Sequence, residues 1–261
     1  MSSETFRGPD ETLARAFSYP YRLIGGPTLL AGAAELAVSA IAAAEAASGL
    51  ALSVTAAGER FDLGERLLML AAGSNASPEQ LRRKFGAPAE PILLFEEEIA
   101  GLVSVHSAHV AGYGSVPATL MAEEGAVSRL TVLALTRAQL AHLDATEALG
   151  VNYRLVSLGA RRLGGLSGIE AGLLAYRSLR GVFAPDGVAL RLNMFRCRDT
   201  RIAAVTQRRA LALAARISGF GGGIEGFVGA VAGDAAYRES VKAAMNKFTL
   251  ADGLGNPPVL A

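Results

Sequence analysis

Apolar and polar positions follow two rhythms along this chain, and the change between them falls near residue 200. Before it, apolar residues come in short runs bounded by Gly, Asn or Asp, the spacing of strands. The clearest run, Leu67-Leu68-Met69-Leu70-Ala71-Ala72, stops at Gly73-Ser74-Asn75. A helix is expected at once: Ser77 suits the N-cap, Pro78 the first helical position, Gln80 completes a capping-box spacing, and Leu81 and Phe85 share a face. Residues 91–95, 101–110 and 129–135 read as strands, with Glu124-Gly125 as a turn before the last. Thr136-Arg137-Ala138-Gln139 repeats the capping-box spacing, and Leu140 and Leu143 give that helix an apolar face. Strands are predicted again at 153–158, 171–176 and 188–192, the last after the turn Ala184-Pro185-Asp186-Gly187. Beyond them, helical spacing governs 202–218, 223–231 and 234–247, before a Gly- and Pro-rich tail.

The first 65 residues read differently. A charged leader runs to about Arg15, followed by the aromatic turn Tyr19-Pro20-Tyr21. The alanine-rich stretch 31–48 predicts a helix ended by Gly49, because alanine has the highest helix propensity. A short strand at 52–55 and a turn at 58–64 complete the segment. The expected organisation is therefore an N-terminal extension over 1–65 (helix plus short strand), a strand-rich unit over 66–200, and a helical extension over 201–261 packed on the strands.

Composition narrows the function classes. With 261 residues, 51% hydrophobic and 19% charged, the chain folds. Lys+Arg 25 against Asp+Glu 24 leaves no field to attract a polyanion or an anionic membrane, so neither nucleic acid nor a membrane is an expected partner. The single cysteine, Cys197, excludes an intramolecular disulfide and a cysteine-built zinc site. The charged start lacks the pattern of a secretory signal, and Glu35 and Glu45 interrupt the most apolar stretch; a soluble, cytoplasmic protein is expected.

Two features carry candidate chemistry. A strand leading through Gly73-Ser74-Asn75 into a capped helix aims free backbone N–H groups and side-chain donors at one volume suited to a carboxylate. The same residues also serve as an ordinary strand–turn–helix connection. Glu147 follows Leu140 and Leu143 by helical spacing and should point inward from a helix end, which would raise its pKa toward that of a general base. Its alternative is a partly exposed side chain at a fraying end, with Asp144 the weaker candidate.

Taken in order, these motifs resemble the gamma-glutamylcyclotransferase-like family. Ala72-Gly73-Ser74-Asn75 is similar to its Tyr-Gly-Ser-Asn strand end, Pro117-Ala118-Thr119-Leu120 with Glu124-Gly125 to its next strand, and Leu143-Asp144-Ala145-Thr146-Glu147 with Tyr153 to its Leu-Asp-x-x-Glu helix end. The resemblance covers about residues 66–160. It implies an α+β fold, a small mixed β-barrel surrounded by helices. It also implies a Gly73-Ser74-Asn75 loop that holds the carboxylate of a gamma-glutamyl or related amide, and Glu147 as the base for release of 5-oxoproline and an amine. Tyr153 joins the substrate site, and no metal or organic cofactor is implied. The enzyme class that the resemblance implies is a lyase or acyltransferase type acting on a small molecule with a free carboxylate. Ala72 stands where the family has Tyr, Ala148 where Gly often follows the Glu, and Tyr113 is the candidate to restore the missing aromatic wall.

Other patterns are decoys. Gly221-Gly222-Gly223-Ile224-Glu225-Gly226 fits a dinucleotide fingerprint but follows a helix, so it reads as an interhelical turn. His106 and His109 point to opposite faces if both lie on a strand, against metal ligation, although one of them could line the pocket; His142 falls on the exposed helix side. Two rival functions remain: an amide hydrolase or acyltransferase on the same pocket, and a non-catalytic binding protein of the same fold.

Overall fold

The strand-length apolar runs pair with one another until the sheet closes. The computed structural model describes residues 8–47 and 49–260. Its long strands are β1 (Thr28–Ala31), β2 (Ala34–Ala46), β3 (Gly49–Ala56), β4 (Glu59–Ala71), β5 (Ile92–His106), β6 (Ala118–Leu135), β7 (Tyr153–Leu163) and β8 (Ile169–Ser178). β6, β4, β3, β2, β1 and β5 form a closed antiparallel ring of six strands, because β5 pairs back onto β6. β8 then adds to β4 in parallel and β7 to β8 in antiparallel, so the whole is a mixed barrel. Buried Glu97 accepts N–H bonds from Gly164 (3.0 Å) and Gly165 (2.6 Å), which pins the β7–β8 connection against β5.

The alanine-rich stretch is a strand, which corrects the helix expected over 31–48; Ser48 itself lies outside the described residues. β2 pairs on both sides, with β1 and β3, and Leu36, Val38, Ile41 and Ala43 turn toward the core at near-strand spacing. Two-sided pairing outweighs alanine's helix preference, which amounts to well under 1 kcal/mol per residue against most other residues. A boundary at residue 65 falls inside β4, and residues 28–56 complete the ring rather than extend from it. The turn expected at 58–64 shrinks to Ala57-Gly58, and Glu124-Gly125 sits inside β6 opposite the register shift around Gly101. The strand expected at 188–192 shortens to Arg191–Leu192.

Among the described residues six helices surround the barrel: α1 (Pro9–Phe17), α2 (Pro78–Phe85), α3 (Arg137–Asp144), α4 (Gln207–Ile217), α5 (Ile224–Gly233) and α6 (Ala235–Met245). The last three share a core with α1 and the segment after β5, through Ala16, Val110, Val116, Leu211, Phe227 and Met245. Gly221 to Gly226 turns α4 into α5, with Gly223 at the N-cap. No helix among the described residues is long and apolar enough to cross a membrane.

Candidate functional site

β4 delivers the chain to the barrel's rim, where Gly73 precedes a single 3-10 turn, Ser74–Ala76, and then α2. Gly73 is required by a close approach: a Cβ there would lie 2.3 Å from the Tyr19 hydroxyl and 3.0 Å from the Ala118 Cβ. Ser77 occupies the N-cap of α2, yet the expected capping box does not form. The Ser77 N–H that Gln80 would accept already donates to the Ser74 carbonyl (3.0 Å). Ser77 Oγ and Gln80 Oε1 are consequently buried without partners among the described residues. At α3 the box is complete: Thr136 and Gln139 bond each other's N–H groups.

Glu147 is not on a helix face, which corrects the expectation. α3 ends at Asp144, and Glu147 sits in the following turn with its N–H reaching the Asp144 carbonyl (3.3 Å). That turn still swings the carboxylate onto the loop: Asn75 Nδ2 donates to Glu147 Oε1 at 3.0 Å, joining residues 72 apart in sequence. Nor does the carboxylate lie against apolar surface. Lys84 Nζ donates both to Glu147 Oε1 and to Asn75 Oδ1 (2.9 Å), so three side chains close a polar triangle. The Lys84 and Glu147 side chains are 10% and 15% exposed, so water still touches the pair.

Lys84 was missed by reading the sequence. It is one of only three lysines in a chain that otherwise uses arginine. That bias was the available signal, since a compact ammonium serves where a planar guanidinium does not fit. His142, exposed as expected, docks the end of α2 on α3: its Nε2 meets the Lys84 carbonyl (2.8 Å) and its ring lies 4.7 Å from Phe85.

Tyrosines wall the triangle. Tyr153 donates to the Ala118 carbonyl (3.0 Å), while the Ala118 N–H donates to Tyr19 (2.8 Å), so one backbone unit fixes both phenols. Burial pushes both pKa values well up; for Tyr153 the negative charge of Glu147 adds next, and for Tyr19 the neighbouring Tyr153 phenol adds next. Both therefore stay protonated. Tyr19 comes from the aromatic turn Tyr19-Pro20-Tyr21 near the start of the chain, and the aromatic side chain at Gly73 is supplied by it. Tyr113 lies farther out, half-buried under Arg15, whose guanidinium sits 4.1 Å from its ring centre. Desolvation raises its pKa, with Tyr21 and Tyr19 adding to the effect. Ser74 is half-buried in the loop, and Asp144 accepts from the Tyr176 hydroxyl (2.7 Å).

Behind Tyr153 lies a second polar cluster. The His109 ring is 5.5 Å from the Tyr153 ring, and its Nδ1 meets Ser107 Oγ (2.9 Å), which also contacts Ser178 Oγ (2.6 Å). Burial lowers the pKa of His109 to about 3, with Lys242 and Arg180 adding repulsion, and that of His106 to about 4. His106 Nδ1 meets the Val116 carbonyl (3.2 Å). Among the described residues no group of His, Cys, Asp or Glu is arranged to hold a metal ion.

The triangle pairs a carboxylate with an ammonium and an amide at the edge of a phenol-lined wall, an arrangement that can exchange its internal ion pair for the charged groups of a bound solute. Comparison with family models gives no match, and neither does comparison with curated proteins. Among solved structures, the chain is similar to one described as a gamma-glutamyl cyclotransferase, at 12% identity and a TM-score of 0.36, over 69% of this chain and 99% of that one. Likeness of that degree assigns neither a substrate nor catalytic residues.

Proposed function

We propose that Asn75, Lys84 and Glu147 bind the charged head of a gamma-glutamyl or related amino-acyl amide, and that Glu147 is the base for its cyclisation. The observation that carries this is the 3.0 Å bond between Asn75 and Glu147, which joins the two motifs of the sequence resemblance in one place. The substrate's α-ammonium replaces Lys84 on the Glu147 carboxylate, and the freed Lys84, with the Gly73-Ser74-Asn75 loop, takes the α-carboxylate. Glu147 accepts a proton from the ammonium, and the amine then attacks the gamma-carbonyl carbon to form the ring C–N bond. Glu147 hands this proton to the leaving nitrogen and takes the second proton from the ring nitrogen, which attack has left as NH2+; collapse of the tetrahedral intermediate then breaks the original amide C–N bond, and the departing amine takes the second proton from Glu147 to leave as an ammonium. The nucleophile belongs to the substrate, so proximity and one carboxylate that relays two protons in turn suffice.

A binding role without turnover is favoured by one observation: Lys84 already pairs with Glu147 Oε1, the carboxylate the cyclisation needs as its base. The experiment is incubation of the full chain with a panel of gamma-glutamyl amides, with 5-oxoproline and the free amine quantified. Stoichiometric release of both supports cyclisation. Glutamate in place of 5-oxoproline indicates hydrolysis, and saturable binding without either product indicates the binding role.

A further inference from the structure

Midway along β4 the strand changes partner: Arg66 pairs with Leu50 of β3, whereas Leu67 pairs with Leu135 of β6. A strand that leaves one neighbour for another parts the wall between them. A cavity of about 140 Å³ lies there, lined by Glu65, Arg66, Leu67 and Arg137. The backbone is tightly built beside it, since a Cβ on Gly49 would lie 2.2 Å from the Arg66 carbonyl oxygen.

Arg66 is 4% exposed, and its donors are poorly filled. Nη1 donates to the Glu65 carbonyl (3.0 Å), and Nη2 lies 3.6 Å from Glu90, a carboxylate 60% exposed to water. Nε is buried with no partner. Burial holds the guanidinium below its ordinary pKa, with Glu90 and Asp62 offsetting part of the cost. Arg137, the exposed first residue of α3, sets a second guanidinium at the cavity, and no described carboxylate pairs with it. Two arginines on the lining of one small cavity, one of them held in the wall by burial, match an oxyanion.

We propose that this cavity binds a small oxyanion, the phosphate or carboxylate group of a solute, between Arg66 and Arg137. Glu65, which also lines the cavity, limits the site to a small group. The site is separate from Glu147: α3 alone, at about 1.5 Å rise per residue, places Arg137 roughly 12 Å from the helix's other end.

The test titrates inorganic phosphate and, separately, acetate into the full chain at constant ionic strength, followed by calorimetry and amide chemical shifts. Saturable binding of either is expected, weakened at least tenfold by Arg137→Ala, partly retained by Arg137→Lys and unchanged by Lys84→Met, which removes the ammonium that the Glu147 site would offer an anion. Tighter phosphate marks a phosphoryl ligand, and tighter acetate a carboxylate. Arg66→Met is a second variant, scored only if its melt stays cooperative. The proposal is overturned if neither anion binds, if Arg137→Ala leaves affinity intact, or if Lys84→Met weakens binding as much as Arg137→Ala.

Discussion

On one side of Tyr153 stand Asn75, Lys84 and Glu147; on the other stand Ser107, His109 and Ser178, with His109 5.5 Å from the Tyr153 ring. Both clusters contain groups suited to proton transfer, but they are built in different media. Lys84 and Glu147 remain in reach of water and hold each other as an ion pair. Ser107 and His109 are buried at 0% and 1% exposure, and burial keeps the imidazole neutral. A group that is to take a proton from a bound solute must be reachable. The Glu147 side meets that condition; the histidine side is buried, with the His109 ring packed edge-on against Tyr153.

The largest expected effect tests this division directly. Glu147→Gln should lower turnover of any accepted amide by roughly 10²–10⁴-fold, with a much smaller change in binding, because the amide side chain keeps the contact with Asn75 and removes the base. His109→Gln should instead leave the pH dependence of turnover unchanged and lower stability. Steady-state rates against pH for the two variants check both; a His109 variant that shifts the acidic limb of the profile would undo the comparison.

The second effect is on stability in acid. His106 and His109 have folded pKa values of about 4 and about 3, below the unfolded value of 6.5. Above pH 6.5 neither state binds the proton, so the native state is at full strength; as pH falls from 6.5 toward 4 the unfolded chain gains protons that the native chain refuses. The loss for His106 alone is about 3 kcal/mol. Denaturant midpoints measured from pH 7 to 4 should fall steeply for the wild type and less steeply for His106→Gln. Equal slopes would mean that the imidazole protonates in place.

Legibility in the sequence followed the same division between local and distant causes. The run 67–72, the box at Thr136 and the helices after 206 are set by neighbours within a turn or a strand, and each lies close to where its pattern placed it. The stretch 31–48 misled because pairing on both edges of β2 is decided by residues far along the chain. Asn75 and Glu147 were readable as motifs, but nothing local announces that Lys84, at the end of α2, crosses to Glu147 63 residues on, or that Tyr19 reaches Gly73. The capping box at Ser77 failed for a local reason that residue types do not encode: the 3-10 turn had already used its N–H.

A third, smaller effect concerns the wall shared by the two clusters. Tyr19→Phe keeps the ring and removes the only oxygen that accepts the Ala118 N–H, a group on a residue 6% exposed. An unsatisfied buried donor costs about 1–3 kcal/mol, or roughly 2–4 °C in Tm per kcal/mol for a domain of this size. Calorimetric scans of Tyr19→Phe and Tyr153→Phe measure it. The phenol of Tyr153 is a donor to a carbonyl that can accept elsewhere, so its loss should cost less than that of Tyr19; the reverse order would show that Tyr153 carries the wall.

The smallest effect isolates how Lys84 is aimed. His142 is exposed and touches no part of the triangle, yet its Nε2 meets the Lys84 carbonyl (2.8 Å) and its ring packs on Phe85. Removing it should cost roughly 0.5–1.5 kcal/mol, the net worth of one hydrogen bond at the surface. Because the contact fixes the backbone from which Lys84 reaches Glu147, His142→Ala should raise KM a few-fold while kcat stays near its wild-type value. His142→Gln, which restores a donor of similar reach, should recover most of the loss, and a merely destabilising change would not show that recovery at a temperature well below Tm. A fall in kcat with KM unchanged would instead mean that the α2–α3 contact acts on the Glu147 carboxylate itself, and Lys84 would then be a partner of the base rather than a binder of the substrate's carboxylate.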